Sequence, residues 1–160
     1  MNVPREAYMD KAKYLNRVEG HALVLGGSGG IGSEIVRALS ASGASAVSFS
    51  CGRNRAAAEA LARELATHGV KSHFGPLDQS DESSCNRLMD EAEKAIGAAI
   101  SVAVNSIGIS PNVPIEQQTL DGPDGWRNVF EVNVHGCFIS TRAIAERMKS
   151  GNVRGANVLI

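Results

Sequence analysis

Short apolar runs alternate with longer amphipathic segments along most of the chain. The runs are rich in Val, Ile, Leu and Ala and have turn residues near their ends: Ala22–Gly26, Ala46–Cys51, Val70–Leu77, Ile100–Asn105 and Asn157–Ile160. Such runs are typical of strands buried on both faces of a sheet. The segments between them place apolar residues three and four positions apart, which predicts helices over Ile31–Ser42, Arg55–His68, Asp81–Ile96 and Trp126–Lys149.

The order of these segments predicts the fold class. Strands and helices alternate, and Gly43, Gly69 and Gly97 follow the first three helices. This order is typical of an α/β domain with a parallel sheet, helices on both faces and right-handed crossovers. We predict one domain over residues 21–160, preceded by a polar arm of residues 1–20.

The last predicted helix has apolar residues on more than one face. Val129 and Val132 share one side, whereas Phe130, Val134 and Phe138 lie on others. A helix with little polar surface is usually covered twice. Deep burial in its own domain and a subunit interface both explain the pattern, and the two are compatible.

Charge and composition argue against several classes of partner. The chain has 16 Lys and Arg against 17 Asp and Glu, a net charge of −1, and the charged residues are scattered along it. The sequence therefore has no basic patch that suits nucleic acid or an anionic membrane. No apolar stretch approaches a membrane helix or a secretory signal. Three dispersed cysteines and four histidines without metal-ligand spacing predict reduced thiols, no metal site and a cytoplasmic protein.

Glycines crowd the junction between the first predicted strand and the first helix, in Gly26-Gly27-Ser28-Gly29-Gly30-Ile31-Gly32. Glycine there lets the backbone approach a pyrophosphate and lets the helix pack on the strand. The N–H groups and the dipole at the helix N-terminus then meet the phosphate charge. Strand, turn and helix together favour a dinucleotide site over a plain flexible turn, and a P-loop is disfavoured because no Gly-Lys-Ser/Thr follows.

The spacing Gly-x-x-x-Gly-x-Gly of Gly26, Gly30 and Gly32 resembles the cofactor loop of the short-chain dehydrogenase/reductase family. Three later segments resemble family motifs in the same order: Pro-Leu-Asp78-Gln-Ser-Asp, Asn105-Ser106-Ile107-Gly108 and Val132-Asn133-Val134. The chain is therefore identified as resembling the N-terminal, cofactor-binding portion of this family. The resemblance implies a Rossmann-like, doubly wound sheet with strand order 3-2-1-4-5.

The resemblance also assigns roles to residues. It implies that the coenzyme is contacted along its length by Gly26, Ser28, Gly30, Ile31, Gly32, Asp78, Gln79, Asn105, Ser106 and Gly108. Asp78 is expected at the adenine, and Asn105 and Gly108 beside the nicotinamide ribose. Asn133 is the expected catalytic residue, because the backbone at this position usually holds a water of the proton relay. Ile107 replaces the usual Ala and is either a packing variant or a side chain that narrows the site.

The residues after the second predicted strand bear on the choice of dinucleotide. NAD sites place a carboxylate about 20 residues beyond the glycine loop to bind the ribose 2′-hydroxyl. Here the segment reads Gly52-Arg53-Asn54-Arg55, and no carboxylate occurs before Glu59. Arg53, flanked by Asn54 and backed by Arg55, suits a 2′-phosphate. We predict NADP(H) over NAD(H), the alternative being that Arg53 is a solvated loop charge.

Family members transfer hydride between the nicotinamide and a carbonyl or alcohol carbon, using a serine, a tyrosine and a lysine four residues after it. The tyrosines of this chain are Tyr8 and Tyr14, and neither has that lysine. We expect the N-terminal part of a longer oxidoreductase acting on a ketone or secondary alcohol, 3-oxoacyl reduction being one option. The alternatives are a non-catalytic dinucleotide-binding module and one half of a split enzyme. A homo-oligomer, dimer or tetramer, through helix 126–149 is expected.

Overall fold

A computed structural model describes residues 18–111 and 113–160, so most of the predicted polar arm lies outside the described residues. The strands are β1 (His21–Leu25), β2 (Ala46–Cys51), β3 (Lys71–Pro76), β4 (Ile100–Asn105) and β5 (Ala156–Leu159). The helices are α1 (Gly30–Ala41), α2 (Arg55–Thr67), α3 (Glu82–Ile96), α4 (Trp126–Phe130) and α5 (Cys137–Ser150). A 3-10 helix, Ile115–Gln117, follows β4, and a π-helical segment, Glu131–Gly136, joins α4 to α5.

The five strands form one parallel sheet in the order β3-β2-β1-β4-β5. This confirms the predicted doubly wound, Rossmann-like architecture. The connections run outward in opposite directions from the boundary between β1 and β4. In open α/β sheets the crevice at such a switch point, beyond the carboxyl ends of the strands, is where ligands bind.

The core has two halves because successive residues of a strand point to opposite faces. Val24 of β1 packs on one face with Val36 of α1 and Leu61 of α2. Its neighbour Leu23 packs on the other face, in the cluster that contains Leu88 of α3. All five residues of β1 are buried. Burial on both faces is the reason that the strands appear in the sequence as continuous apolar runs.

The structure differs from the prediction for the last helix in two ways. The predicted single helix Trp126–Lys149 is interrupted by the π-helical segment, although the backbone stays right-handed throughout. Deep burial was wrong for three apolar side chains, because Phe130, Val134 and Phe138 are 47%, 56% and 60% exposed. The helix covers the sheet with one face only, so its other apolar residues face outward.

Within 18–111 and 113–160, no helix is both long and apolar enough to cross a membrane. The same ranges hold no group of three or more His, Cys, Asp or Glu side chains arranged to hold a metal ion. The cytoplasmic location stays a prediction.

Candidate functional site

The loop after β1 leaves bare backbone N–H groups at the start of α1. Gly29 is the N-cap, it supplies no side-chain cap, and the first turn has no acidic residue. The first intrahelical bond is the one that the N–H of Ser33 donates to the Gly29 carbonyl, at 2.9 Å. The N–H groups of residues 30–32 precede it and have no intrahelical partner. Together with the helix dipole they form a site suited to an anion.

The backbone and the packing require glycine at positions 26 and 32 of the loop, for different physical reasons, but not at position 30. Gly26 has φ +82°, a conformation that L side chains rarely adopt. A Cβ on Gly32 would overlap the carbonyl oxygen of Gly26, so glycine is needed for α1 to approach β1. A Cβ on Gly30 would meet no protein atom within 4 Å. Packing therefore does not require glycine at position 30, and the open space beside it is available to a ligand.

Ser50 fixes the loop from the neighbouring strand β2. Its hydroxyl accepts a hydrogen bond from the Gly26 N–H at 2.7 Å, and its carbonyl accepts one from the Ser28 N–H at 3.2 Å. The Ser50 side chain is buried. This residue was not predicted, because β2 holds two buried hydroxyls, Ser48 and Ser50, and the sequence does not show which of them meets the glycine loop.

Two arginines, Arg53 and Arg55, follow the carboxyl end of β2. Arg53 is exposed and makes no ion pair or side-chain hydrogen bond within the described part of the chain. Arg55 is occupied, because Glu59 accepts from it at 3.1 Å and its guanidinium lies 5.4 Å from the centre of the Phe74 ring. Asn54 caps α2 by accepting from the Ala57 N–H at 3.1 Å. Arg53 is therefore the arginine available to a ligand, and Asn54 keeps only its amide N–H groups.

Asp78 is held by local bonds at the carboxyl end of β3. Its carboxylate accepts from the Ser80 N–H at 2.9 Å, and its own N–H donates to the Ser84 hydroxyl at 3.1 Å. The nearby thiol of Cys85 is buried. Burial, with the charges of Asp81 and Asp78, raises the pKa of its thiol to about 11, so the thiol stays protonated at neutral pH.

Gln79 and Asn105 lie deeper than predicted. Each is 3% exposed, and Gln79 accepts from Asn105 Nδ2 at 3.0 Å and donates to the Val132 carbonyl at 2.8 Å. Asn105 also donates to the hydroxyl of Ser140, a second site residue that the sequence analysis missed, at 3.1 Å. The polar atoms of both side chains are bonded inside the protein, and coenzyme contact at these two residues stays a prediction. They support the site from behind.

The loop after β4 closes against the glycine loop. Both the N–H and the hydroxyl of Ser106 donate to the Leu25 carbonyl, at 3.0 and 2.9 Å. A Cβ on Gly26 would lie 3.0 Å from the Ser106 hydroxyl and 3.1 Å from Cγ1 of Ile107. Ile107 also packs against the core cluster of Leu23 and Leu88. Its larger side chain is thus partly absorbed by packing, which favours the packing-variant explanation.

Asn133 lies in the π-helical segment and holds the loop after β4. Its Oδ1 accepts from the Ile109 N–H at 2.8 Å, and its Nδ2 donates to the Ile109 carbonyl at 2.7 Å. Gly108, one residue earlier, is exposed, and a Cβ there would lie 3.7 Å from Asn133 Oδ1. Short π-helical segments break the regular hydrogen-bond ladder and are frequent at functional sites. The structure thus brings Asn133 and Gly108 together.

Comparison with known proteins bears directly on this arrangement. The sequence model of the family described as short chain dehydrogenase matches residues 20–160. The chain belongs to the short-chain dehydrogenase family. It is 33% identical over 138 residues to the NADP-dependent (R)-specific alcohol dehydrogenase of Lentilactobacillus kefiri, and this match covers 86% of the chain and 52% of that protein.

Solved structures of short-chain dehydrogenases agree with the fold. The short-chain dehydrogenase/reductase from Serratia marcescens superposes with a TM-score of 0.74 at 30% identity, covering 88% of this chain and 54% of that one. The Burkholderia cenocepacia short chain dehydrogenase in complex with NADP superposes with a TM-score of 0.71 at 28% identity, covering 82% and 52%. The chain therefore spans about half the length of these relatives.

For a short-chain dehydrogenase, the residues of this chain fit a dinucleotide. The glycine loop offers open space and bare N–H groups, Arg53 has no competing carboxylate partner among the described residues, and Asp78 is fixed at the end of β3. These features follow β1, β2 and β3, and the loop of Gly108 with Asn133 follows β4. All of them lie at the carboxyl edge of the sheet, which is where open α/β sheets bind their ligands.

Proposed function

We propose that the protein to which this chain belongs is an NADP(H)-dependent oxidoreductase that transfers hydride between the nicotinamide and a ketone or secondary alcohol. The observation that carries the proposal is that bare N–H groups start α1 while Arg53, after β2, has no ion pair with any described residue. The Lentilactobacillus relative is named NADP-dependent and the Burkholderia relative holds NADP, which supports the choice of coenzyme.

Each residue of the site has a defined task in this proposal. The N–H groups of residues 30–32 bind the pyrophosphate, and Arg53 binds the 2′-phosphate by charge-assisted hydrogen bonds. Asp78 orients the adenine from the end of β3. The bound nicotinamide supplies or accepts the hydride. Asn133, whose side chain is anchored on Ile109, holds its segment in place so that its backbone positions a water of the proton relay.

A second candidate applies to the 160-residue chain by itself: coenzyme binding without turnover, as a non-catalytic module or as one half of a split enzyme. The observation that favours it is that the only tyrosines are Tyr8 and Tyr14, neither with a lysine four residues later. Both candidates require NADP(H) binding. Turnover separates them.

We also propose that the protein is a homo-oligomer. An apolar stripe, formed by Leu120, Trp126, Phe130, Val134 and Phe138, lines an open groove along α4 and α5. Arg127, Glu131 and His135 border the same groove, so its rim carries both signs of charge. A second copy presents the same stripe and the same mixed rim, which makes the surface complementary to itself across a two-fold axis.

Isothermal calorimetry of the chain with NADPH and with NADH tests the coenzyme assignment. We expect both to release heat and NADPH to bind more tightly. Folded protein that gives no heat with either coenzyme overturns the proposal, and NADH binding as tight as NADPH overturns the preference. NADPH oxidation with a panel of ketones then distinguishes the oxidoreductase from the binding module.

A further inference from the structure

Gln79 links the loop after β3 to two distant segments. Its side-chain carbonyl accepts from Asn105 Nδ2 at 3.0 Å, and its side-chain N–H donates to the Val132 carbonyl at 2.8 Å. Gly136 allows this close approach, because a Cβ there would lie 2.7 Å from Gln79 Cγ. One buried amide therefore joins the adenine-side loop, the end of β4 and the π-helical segment.

The remaining bonds close a ring. Asn105 Oδ1 accepts from the Ile107 N–H at 2.9 Å, which fixes the start of the loop after β4. Two residues later, the backbone N–H and carbonyl of Ile109 are both bonded to the Asn133 side chain. Asn133 directly follows Val132, so the ring returns to Gln79. Gly108 lies inside it, between the two anchored isoleucines.

The partners fix which end of each amide faces which neighbour. Asn105 Oδ1 must face the Ile107 N–H, so its NH₂ group points to Gln79. Gln79 must then present its carbonyl to Asn105 and its NH₂ to the Val132 carbonyl. The site at residue 79 thus requires an acceptor and a donor at once. An apolar side chain of equal size would remove the donor to the partly buried Val132 carbonyl and leave Asn105 Nδ2 with Ser140 as its one remaining acceptor, which is costly.

We propose that Gln79 is a positioning residue for the nicotinamide half of the site: it holds the loop of Gly108 and the segment of Asn133 in register. This inference rests on the proposed function. The adenine half does not depend on this side chain, because Asp78 has its own bonds to Ser80 and Ser84. Loss of the Gln79 amide is therefore expected to weaken contacts with the nicotinamide half selectively.

The experiment compares two probes on purified chain. NADPH spans the whole site, whereas adenosine 2′,5′-bisphosphate reaches only the adenine half. We expect Gln79→Met, which keeps the volume and removes both hydrogen bonds, to weaken NADPH binding about tenfold, as for the loss of buried hydrogen bonds. Binding of the bisphosphate is expected to change less than about twofold. Gln117→Glu is the control, because Gln117 is exposed in the 3-10 helix.

A pH series supplies a second readout, taken as NADPH binding divided by bisphosphate binding, because a loss of folded protein lowers both and divides out of this ratio. In Gln79→Glu, the ionised carboxylate has no proton to donate to the Val132 carbonyl, so NADPH binding relative to wild type is weak at pH 8. The protonated acid has a donor and an acceptor, as the amide does, so relative binding recovers as the pH falls. Gln79→Met shows no recovery. The neighbouring charged groups, Asp78, Asp81, Glu82, Glu131 and His135, are common to every variant, and the pH profile of Gln79→Met measures their effect without a carboxylate at residue 79.

The outcomes separate the two proposals. Wild-type chain that binds neither probe overturns the proposed function. Wild-type chain that binds both, with a Gln79→Met variant that binds both equally well or loses both equally, overturns the positioning role alone. A Gln79→Glu deficit that is independent of pH also overturns it.

Discussion

Arg53 offers the sharpest test of the coenzyme choice, through replacement by alanine. The guanidinium is exposed and makes no ion pair within the described residues, so binding a 2′-phosphate does not break an existing bond. A hydrogen bond to a charged group contributes about 1.5–3 kcal/mol, and solvent exposure places Arg53 at the low end. A loss of about 1.5–2 kcal/mol corresponds to a roughly 10- to 30-fold higher Kd for NADPH. NADH lacks the 2′-phosphate, and its Kd is expected to stay unchanged.

Fluorescence titration with both reduced coenzymes measures this difference. Arg55→Ala is the matched control, because Arg55 is already paired with Glu59 and stacked on Phe74, and its NADPH Kd is expected to stay within about twofold of wild type. Arg53→Asp adds repulsion and is expected to reverse the preference toward NADH. The NADPH advantage of wild type shrinks as salt rises. Equal weakening of both coenzymes by Arg53→Ala would refute the reasoning.

Three further predictions concern the loop, the core and the surface. Gly32→Ala is expected to destabilise the fold by about 1–3 kcal/mol, because its Cβ would overlap the Gly26 carbonyl. Gly30→Ala is expected to leave the thermal midpoint unchanged and to weaken NADPH binding. Scanning calorimetry measures the midpoints, and titration calorimetry measures the binding. Burial lowers the pKa of His21 below 6.5, so the unfolded state binds more protons. The contribution of His21 to the free energy of unfolding should be constant above about pH 6.5 and fall below it, by at most about 1.4 kcal/mol per pH unit, and urea titrations of His21→Gln should lack this part of the pH dependence. Phe138→Glu is expected to convert an oligomer to a monomer in light scattering, and a wild-type monomer at micromolar concentration would contradict the proposed interface.

Local features allowed the main elements to be predicted. β2 and β4 occupy the predicted ranges, and the bounds of α1, α2 and α3 differ from prediction by one residue at each changed end. Strands buried on both faces need continuous apolar runs, and helices that cover a sheet need one apolar face, so both requirements are visible in adjacent residues. The π-helical segment was missed because it has no comparable local pattern.

The site residues also divide into those that a local sequence pattern predicts and those that it does not. The glycine loop and Arg53 were found because a close phosphate approach and a missing carboxylate are properties of a few consecutive residues. Gln79 was predicted to touch the coenzyme, yet its side chain is buried and bonded elsewhere. A single buried amide fits either role, and the sequence has no signal that distinguishes them.

The sequence by itself determined the order of elements and the backbone chemistry of the glycine loop, since these depend on neighbours along the chain. Only the tertiary structure decided which distant groups meet. Gln79 bonds to Asn105 across 26 positions and to Val132 across 53, and these contacts exist because the sheet order sets the loops after β3 and β4 at one edge, with the π-helical segment against them. Hydrogen-bond partners at that separation depend on packing of the whole sheet, which no local pattern specifies.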